Sequence, residues 1–97
     1  MSDVKTQLIK DLATMDWETL IPHAKRDAVI VVDGALDLVE VGVAIAEDNA
    51  PVVQNWLSEL LLHKPSQEEL NHWNAEPEKQ FNTLIVQPFV LVTAIAD

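Results

Sequence analysis

The 97-residue sequence has no cysteine, no tyrosine, only two glycines, and six basic residues against sixteen acidic ones. Each shortage excludes something. Without cysteine there can be no disulfide, thiolate metal site or sulfur nucleophile, which fits a reducing cytosol and a disulfide-free secreted domain equally well. Two glycines are too few for a glycine-rich phosphate loop, so nucleotide binding of that kind is ruled out. A formal charge of -10 repels an exposed phosphate backbone, and nucleic acid is not an expected partner. No apolar run approaches the roughly 18 residues that cross a bilayer. The start, Met1 to Gln7, is polar and acidic where a secretory signal has a basic start and an apolar run. The expectation is a cytoplasmic protein with no membrane partner.

What remains suffices for a packed core, since 48% of the residues are hydrophobic. The length fits a single domain, 1–97, with no internal repeat, linker or low-complexity segment. Ser2 and Asp3 can cap a helix over 3–14, in which Val4, Leu8, Ile9, Leu12 and Met15 form an apolar stripe. Asp16 can cap a second helical segment carrying Trp17, Leu20, Ile21 and Ala24, with Pro22 predicted to kink or split it. Val29 to Val32 are consecutive β-branched residues and predict a strand covered on both sides. Asp33-Gly34 supplies a turn, with Gly34 free to take positive φ. From Leu36 to Ala46, Val39, Val41, Val43 and Ile45 alternate with the residues between them, so the segment reads as the second strand of a β-hairpin.

Glu47, Asp48 and Asn49 provide caps for the next helix, whose stripe is Val52, Val53, Trp56, Leu57, Leu60 and Leu61. Its negative end is met by His63 and Lys64, and Pro65 stops it. Ser66 and Glu69 have capping-box spacing and open a short helix through Asn74, with Leu70 and Trp73 inward. Phe81 to Thr93 is apolar on successive positions and predicts one long central strand, interrupted by a bulge or edge position at Pro88. The expected order is ααββααβ. This is an α+β domain with a small three-stranded sheet, made of the hairpin plus the long C-terminal strand, packed by the N-terminal helices and a helical crossover.

Candidate chemistry is sparse. His63 and His72 stand nine residues apart with Glu68 and Glu69 between them, a spacing from which imidazole and carboxylate could reach one divalent metal. Glu47 and Asp48, with Asp33 and Asp37, could supply oxygen ligands to a hard cation, although calcium-loop spacing is absent. His63, His72 and Asp48 are therefore the metal candidates, against the plainer roles of solvated or capping residues. Ser58 and Ser66 lack a nucleophile elbow. No catalytic or cofactor-binding residue can be named, and no cofactor is expected. Trp73, in Asn71-His72-Trp73-Asn74, is the better candidate of three tryptophans for a partly exposed contact, while Trp56 reads as core. Arg26 can clamp an anion or pair locally with Asp27 or Glu18.

Arg26-Asp27-Ala28-Val29-Ile30-Val31-Val32-Asp33, Leu36 to Asn49, Lys64-Pro65-Ser66, Trp73-Asn74 and Asn82 to Val92 together resemble a small bacterial family known as domain of unknown function 2288. The resemblance runs nearly end to end. It implies a bacterial, soluble, stand-alone domain and carries over no catalytic or ligand role.

The leading functional expectation is a non-enzymatic interaction or regulatory domain. It would act as a homodimer or with a protein partner, through the acidic surface at Glu68 and Glu69, a strand edge, or the region of Trp73. The alternative is a small-ligand or divalent-metal binder, or a hydrolytic enzyme of that kind, using His63, His72 or the carboxylates near Asp48. An acidic mimic of nucleic acid ranks last, because the carboxylates are scattered through every element.

Overall fold

The computed structural model describes residues 4–95. The elements in chain order are α1 (Val4–Asp11), β1 (Ala13–Asp16), α2 (Trp17–Lys25), β2 (Val29–Val32), α3 (Leu38–Ala46), α4 (Ala50–Ser58), β3 (Leu62–His63), α5 (Gln67–Asn74), β4 (Gln80–Val86) and β5 (Phe89–Ala94). The described strands form one mixed sheet in the order β1-β4-β5-β2-β3. Strand β4 is antiparallel to both β1 and β5, β5 is parallel to β2, and β2 is antiparallel to β3. The α+β class is as expected. The three-stranded sheet and the order ααββααβ are overturned by five strands and five helices among the described residues.

The largest correction is at Leu36 to Ala46, which is not the second strand of a hairpin but helix α3. Its apolar residues fit a period of two and a helical period at once, because the segment is apolar almost throughout. Burial shows which period operates: Leu38, Val39, Val41, Gly42 and Ala44 are buried. A helix apolar on nearly every side must be surrounded. Here α1, α4 and the sheet surround it, in a core made of Leu8, Leu38, Val39, Val41, Leu62, Leu84, Val86 and Leu91. The helix starts where Asp37 accepts bonds from the Val39 amide at 2.8 Å and the Glu40 amide at 3.4 Å. Packing thus overrides the strand preference of the valines.

The second correction lies at 81–93, which is a hairpin rather than one long strand. Gln87 and Pro88 make the turn, joined by a cis peptide bond, and β4 and β5 pair along their length from Phe81 with Ala94 to Val86 with Phe89. The two edge strands were not legible. β1 overlaps the last two residues of the helix expected over 3–14 and runs on to Asp16, and β3 is two residues long. The first helix spans Val4–Asp11, and the expected caps Ser2 and Asp3 lie outside the described residues.

Helices α2 and α5 cover the opposite face of the sheet. There Trp17, Leu20 and Trp73 pack on Val29, Val31, Phe81, Val90 and Val92. Helix α2 runs through Pro22 instead of ending at it. Asp16 caps it, accepting from the Thr19 hydroxyl at 2.6 Å and the Thr19 amide at 2.9 Å, and these two bonds hold its carboxyl below the usual aspartate value. The predicted capping box is present: the Glu69 amide donates to Ser66 Oγ at 3.1 Å, and the Ser66 amide to Glu69 Oε1 at 2.9 Å.

Helices α2, α3 and α4 end alike. The residue after each C-cap is left-handed, Asp27 at φ 62°, Asp48 at 57° and Leu60 at 61°. The next residue's amide then bonds back to a carbonyl of the last turn: Ala28 to His23, Asn49 to Ala44 and Leu61 to Trp56, at 2.8 to 3.0 Å. Glycine is the usual occupant of such positions. This chain spends neither glycine there, and Gly34 has no positive φ. The missing glycine also explains why α4 was expected to continue to Pro65 when it ends at Ser58.

Gly42 serves a different need. A Cβ there would sit 2.7 Å from Leu84 Cδ2, 3.2 Å from Leu8 Cδ1 and 3.3 Å from Val86 Cγ2, so α3 reaches the sheet only because position 42 has no side chain. Gly42→Val is expected to destabilise the fold by about 2 kcal/mol or more through overpacking. Gly34→Ala, whose Cβ meets nothing within 4 Å, should change stability by less than about 0.5 kcal/mol. Urea unfolding of the two variants checks the contrast.

Candidate functional site

The C-terminal half of α3, the connection to α4 and the first two turns of α4 stand away from the ends of β2, β3 and β5. Between them lies a cleft of about 430 Å³, within the usual size range of small-molecule pockets. Ile30, Ala44, Ile45, Val53, Leu57, Leu62 and Phe89 give it apolar walls, and Asp48, Asn49, Gln54, His63 and Lys64 are its polar residues. Each wall residue follows from the fold just described. Ile30, Leu62 and Phe89 come from strands brought side by side, while Val53 and Leu57 lie one helical turn apart on α4.

His63 is the most constrained polar group. It occupies β3, opposite Val31 in the sheet, rather than the helix end expected for it. Its Nε2 lies 3.1 Å from Glu69 Oε1 and 3.3 Å from Oε2. Glu69 is itself fixed by the capping box of α5, so the helix start holds the carboxylate and the carboxylate holds the imidazole. Lys64 Nζ donates to the Asp27 carboxylate. Both of those side chains are more than half exposed, so the pair contributes at most about 1 kcal/mol. Asn49, at the N-cap of α4, makes no side-chain bond to the helix amides.

Of the residues singled out from the sequence, His63 and Asp48 line this one cleft. His72 sits in the last turn of α5, exposed, and is not among the lining residues. No group of three or more His, Cys, Asp or Glu among the described residues could hold a metal ion. Glu68 is exposed in the first turn of α5, and Glu69 is half-buried and engaged by His63 and Ser66. Trp73 is not the partly exposed contact expected: it is only 6% exposed. Its ring lies 5.0 Å from both Trp17 and Phe81, edge-on to the latter. Trp17 Nε1 donates to Asn74 at 2.8 Å, which gives Trp73-Asn74 a structural role. Trp56 is half-buried against the α3 core. Arg26 pairs with neither Asp27 nor Glu18, and its guanidinium donates to His23 Nδ1 at 2.9 Å. Sequence reasoning missed the partnership of His63 with Glu69, whose only signal was that the capping box starts three residues after the histidine.

These features define a small α+β domain with a helix-covered five-stranded sheet and a mainly apolar cleft at the α3–α4 end. Residues 3–94 match the family described as "Protein of unknown function (DUF2288)", and the chain belongs to it. It is similar to the solved structure titled "NMR solution structure of PA1075 from Pseudomonas Aeruginosa", with 32% sequence identity and a TM-score of 0.81. That similarity covers 100% of this chain and 89% of the other. None of the curated proteins matches the chain. No helix among the described residues is long and apolar enough to cross a membrane.

Because a carboxylate only accepts, the His63–Glu69 contact requires a proton on Nε2. Long-range ¹H–¹⁵N spectra of histidine-labelled protein are expected to show the neutral His63 ring as the Nε2–H tautomer. A dominant Nδ1–H tautomer would contradict the arrangement.

Proposed function

We propose that the protein is a binding module that takes a small, largely apolar molecule into the cleft between α3, α4 and the ends of β2, β3 and β5. One observation carries this reading: an open cleft of about 430 Å³ whose walls are apolar side chains on regular elements, with a few polar groups grouped beside them. Concave, mainly apolar sites with a small polar complement are how proteins hold small ligands. Burial of the ligand's apolar surface supplies the affinity, at roughly 25 cal/mol per Å² removed from water. The polar residues select among ligands of similar size. Titration of the ¹⁵N-labelled protein with 1-octanol should shift amides of cleft residues in preference to the Trp17–Trp73 face. Val53→Trp, which places an indole on the wall of the cleft, is expected to weaken that binding at least about tenfold. Shifts spread evenly over the protein, or none at saturation of the solvent with octanol, would remove the reading.

Self-association is a second reading, supported by two exposed leucines, Leu57 on the cleft wall and Leu60 three residues on. Leu57 is 46% exposed and Leu60 75% exposed, and Leu60 keeps a left-handed backbone that costs a leucine about 1–2 kcal/mol. Large exposed apolar side chains grouped together mark interaction surfaces. Light scattering on the purified chain is expected to report a dimer that Leu57→Ser with Leu60→Ser converts to a monomer. A monomer at every concentration tested would exclude it.

A further inference from the structure

Whatever occupies the cleft meets a polar group whose hydrogen-bonding sense is already decided. Both oxygens of Glu69 face His63 Nε2, and a carboxylate offers no proton, so Nε2–H donates. In the neutral ring that leaves Nδ1 with a bare lone pair. Nδ1 has no hydrogen-bond partner among the described residues, whereas Nε2 has two contacts. The tautomer cannot easily exchange, because Glu69 is anchored by the Ser66 amide at 2.9 Å as part of the α5 capping box. His63 lines the cleft and is only half-buried.

The other charged groups of the cleft point to the same ligand chemistry. Among the described lining residues Asp48 is a further acceptor, and Lys64 shares its charge with Asp27 in an exposed pair. A chain of net charge -10 also opposes an anion. The net charge disfavours carboxylates and phosphates, and the one lining group whose hydrogen-bonding sense the geometry fixes is the His63 acceptor.

We infer that the cleft selects a neutral molecule with an apolar body and one hydrogen-bond donor, a hydroxyl or an amide N–H, which donates to His63 Nδ1. Glu69 is the positioning residue that makes Nδ1 an acceptor. This inference rests on the small-ligand reading above and deepens it by naming the ligand class and the atom that reads it.

The test compares two probes with equal numbers of non-hydrogen atoms at about pH 8, where histidine side chains are ordinarily neutral. These are 1-octanol, which has a donor, and 1-methoxyheptane, which has none. The native chain is expected to bind the alcohol about three- to tenfold more tightly, the worth of one neutral hydrogen bond. The His63 Nδ1 resonance should move with the alcohol and stay put with the ether. His63→Phe keeps an apolar ring in place and should bind both probes alike, while Glu69→Gln, which retains a capping-box residue at that position, should reduce the preference. Equal affinity of the native chain for the two probes, with Nδ1 unmoved, overturns this inference and leaves the small-ligand reading standing. Failure of both probes to bind overturns the two together. Because the first comparison and the Nδ1 shift use the native chain, the outcome does not depend on either variant folding.

Discussion

Strand β5 has a neighbour on both edges and a helical layer on both faces, and the remaining elements are placed by what it requires. Val90, Leu91 and Val92 are all buried, so successive side chains need cover on opposite sides. Helices α2 and α5 provide it for Val90 and Val92, and α1, α3 and α4 form the core that includes Leu91. Its two edges are paired differently, antiparallel to β4 through a tight hairpin and parallel to β2 through a long connection. The cleft is a by-product of that arrangement. It forms where the helical cover of α3 and α4 runs past Phe89, the first residue of β5, and leaves the sheet end unfilled.

Much of the architecture was readable in the chain, and the misreadings have specific physical causes. The strand at Val29–Val32, the N-cap at Asp16 and the box at Ser66 and Glu69 rest on local rules that need no partner. Leu36–Ala46 failed because alternation and helical spacing predict the same residues when nearly every position is apolar. The deciding fact, enclosure by α1, α4 and the sheet, is tertiary. Asp37 with Glu40 three residues later was a helix-start signal that the valines outweighed. Pro88 was correctly seen as an interruption, but its strength was underestimated: it divides one apolar run into two strands. Helix ends were hidden for another reason, since Asp27, Asp48 and Leu60 stand where glycine would have announced a stop.

The site was legible in part. His63 and Asp48 drew attention as isolated ligating types, and they border the same cleft, although no metal cluster unites them among the described residues. His72 drew attention for the same reason and lies on a different element. Trp73 has polar sequence neighbours, but its ring packs on Trp17 of α2 and Phe81 of β4, which only the tertiary fold brings to it. The apolar walls could not be recognised as walls, because Ile30, Val53 and Phe89 read as ordinary core until the sheet order shows which end of it remains open.

The pairing pattern also imposes an order on biosynthesis. Strand β1 pairs only with β4, and β2 finds its long partner only in β5. During translation, about the first four-fifths of the chain therefore emerges with strands that have no complete sheet to join, apart from the two-residue pairing of β2 with β3. Val29–Val32 must wait for its longer partner until residues 89–94 leave the ribosome, while Leu38–Ala46 has α1 and α4 but no complete sheet to pack on. The local hairpin of β4 and β5 supplies both missing partners at once, β4 for β1 and β5 for β2. A chain that ends before that hairpin carries β1 and β2 without their main partners, and unpaired apolar strands are the surfaces through which incompletely folded chains associate.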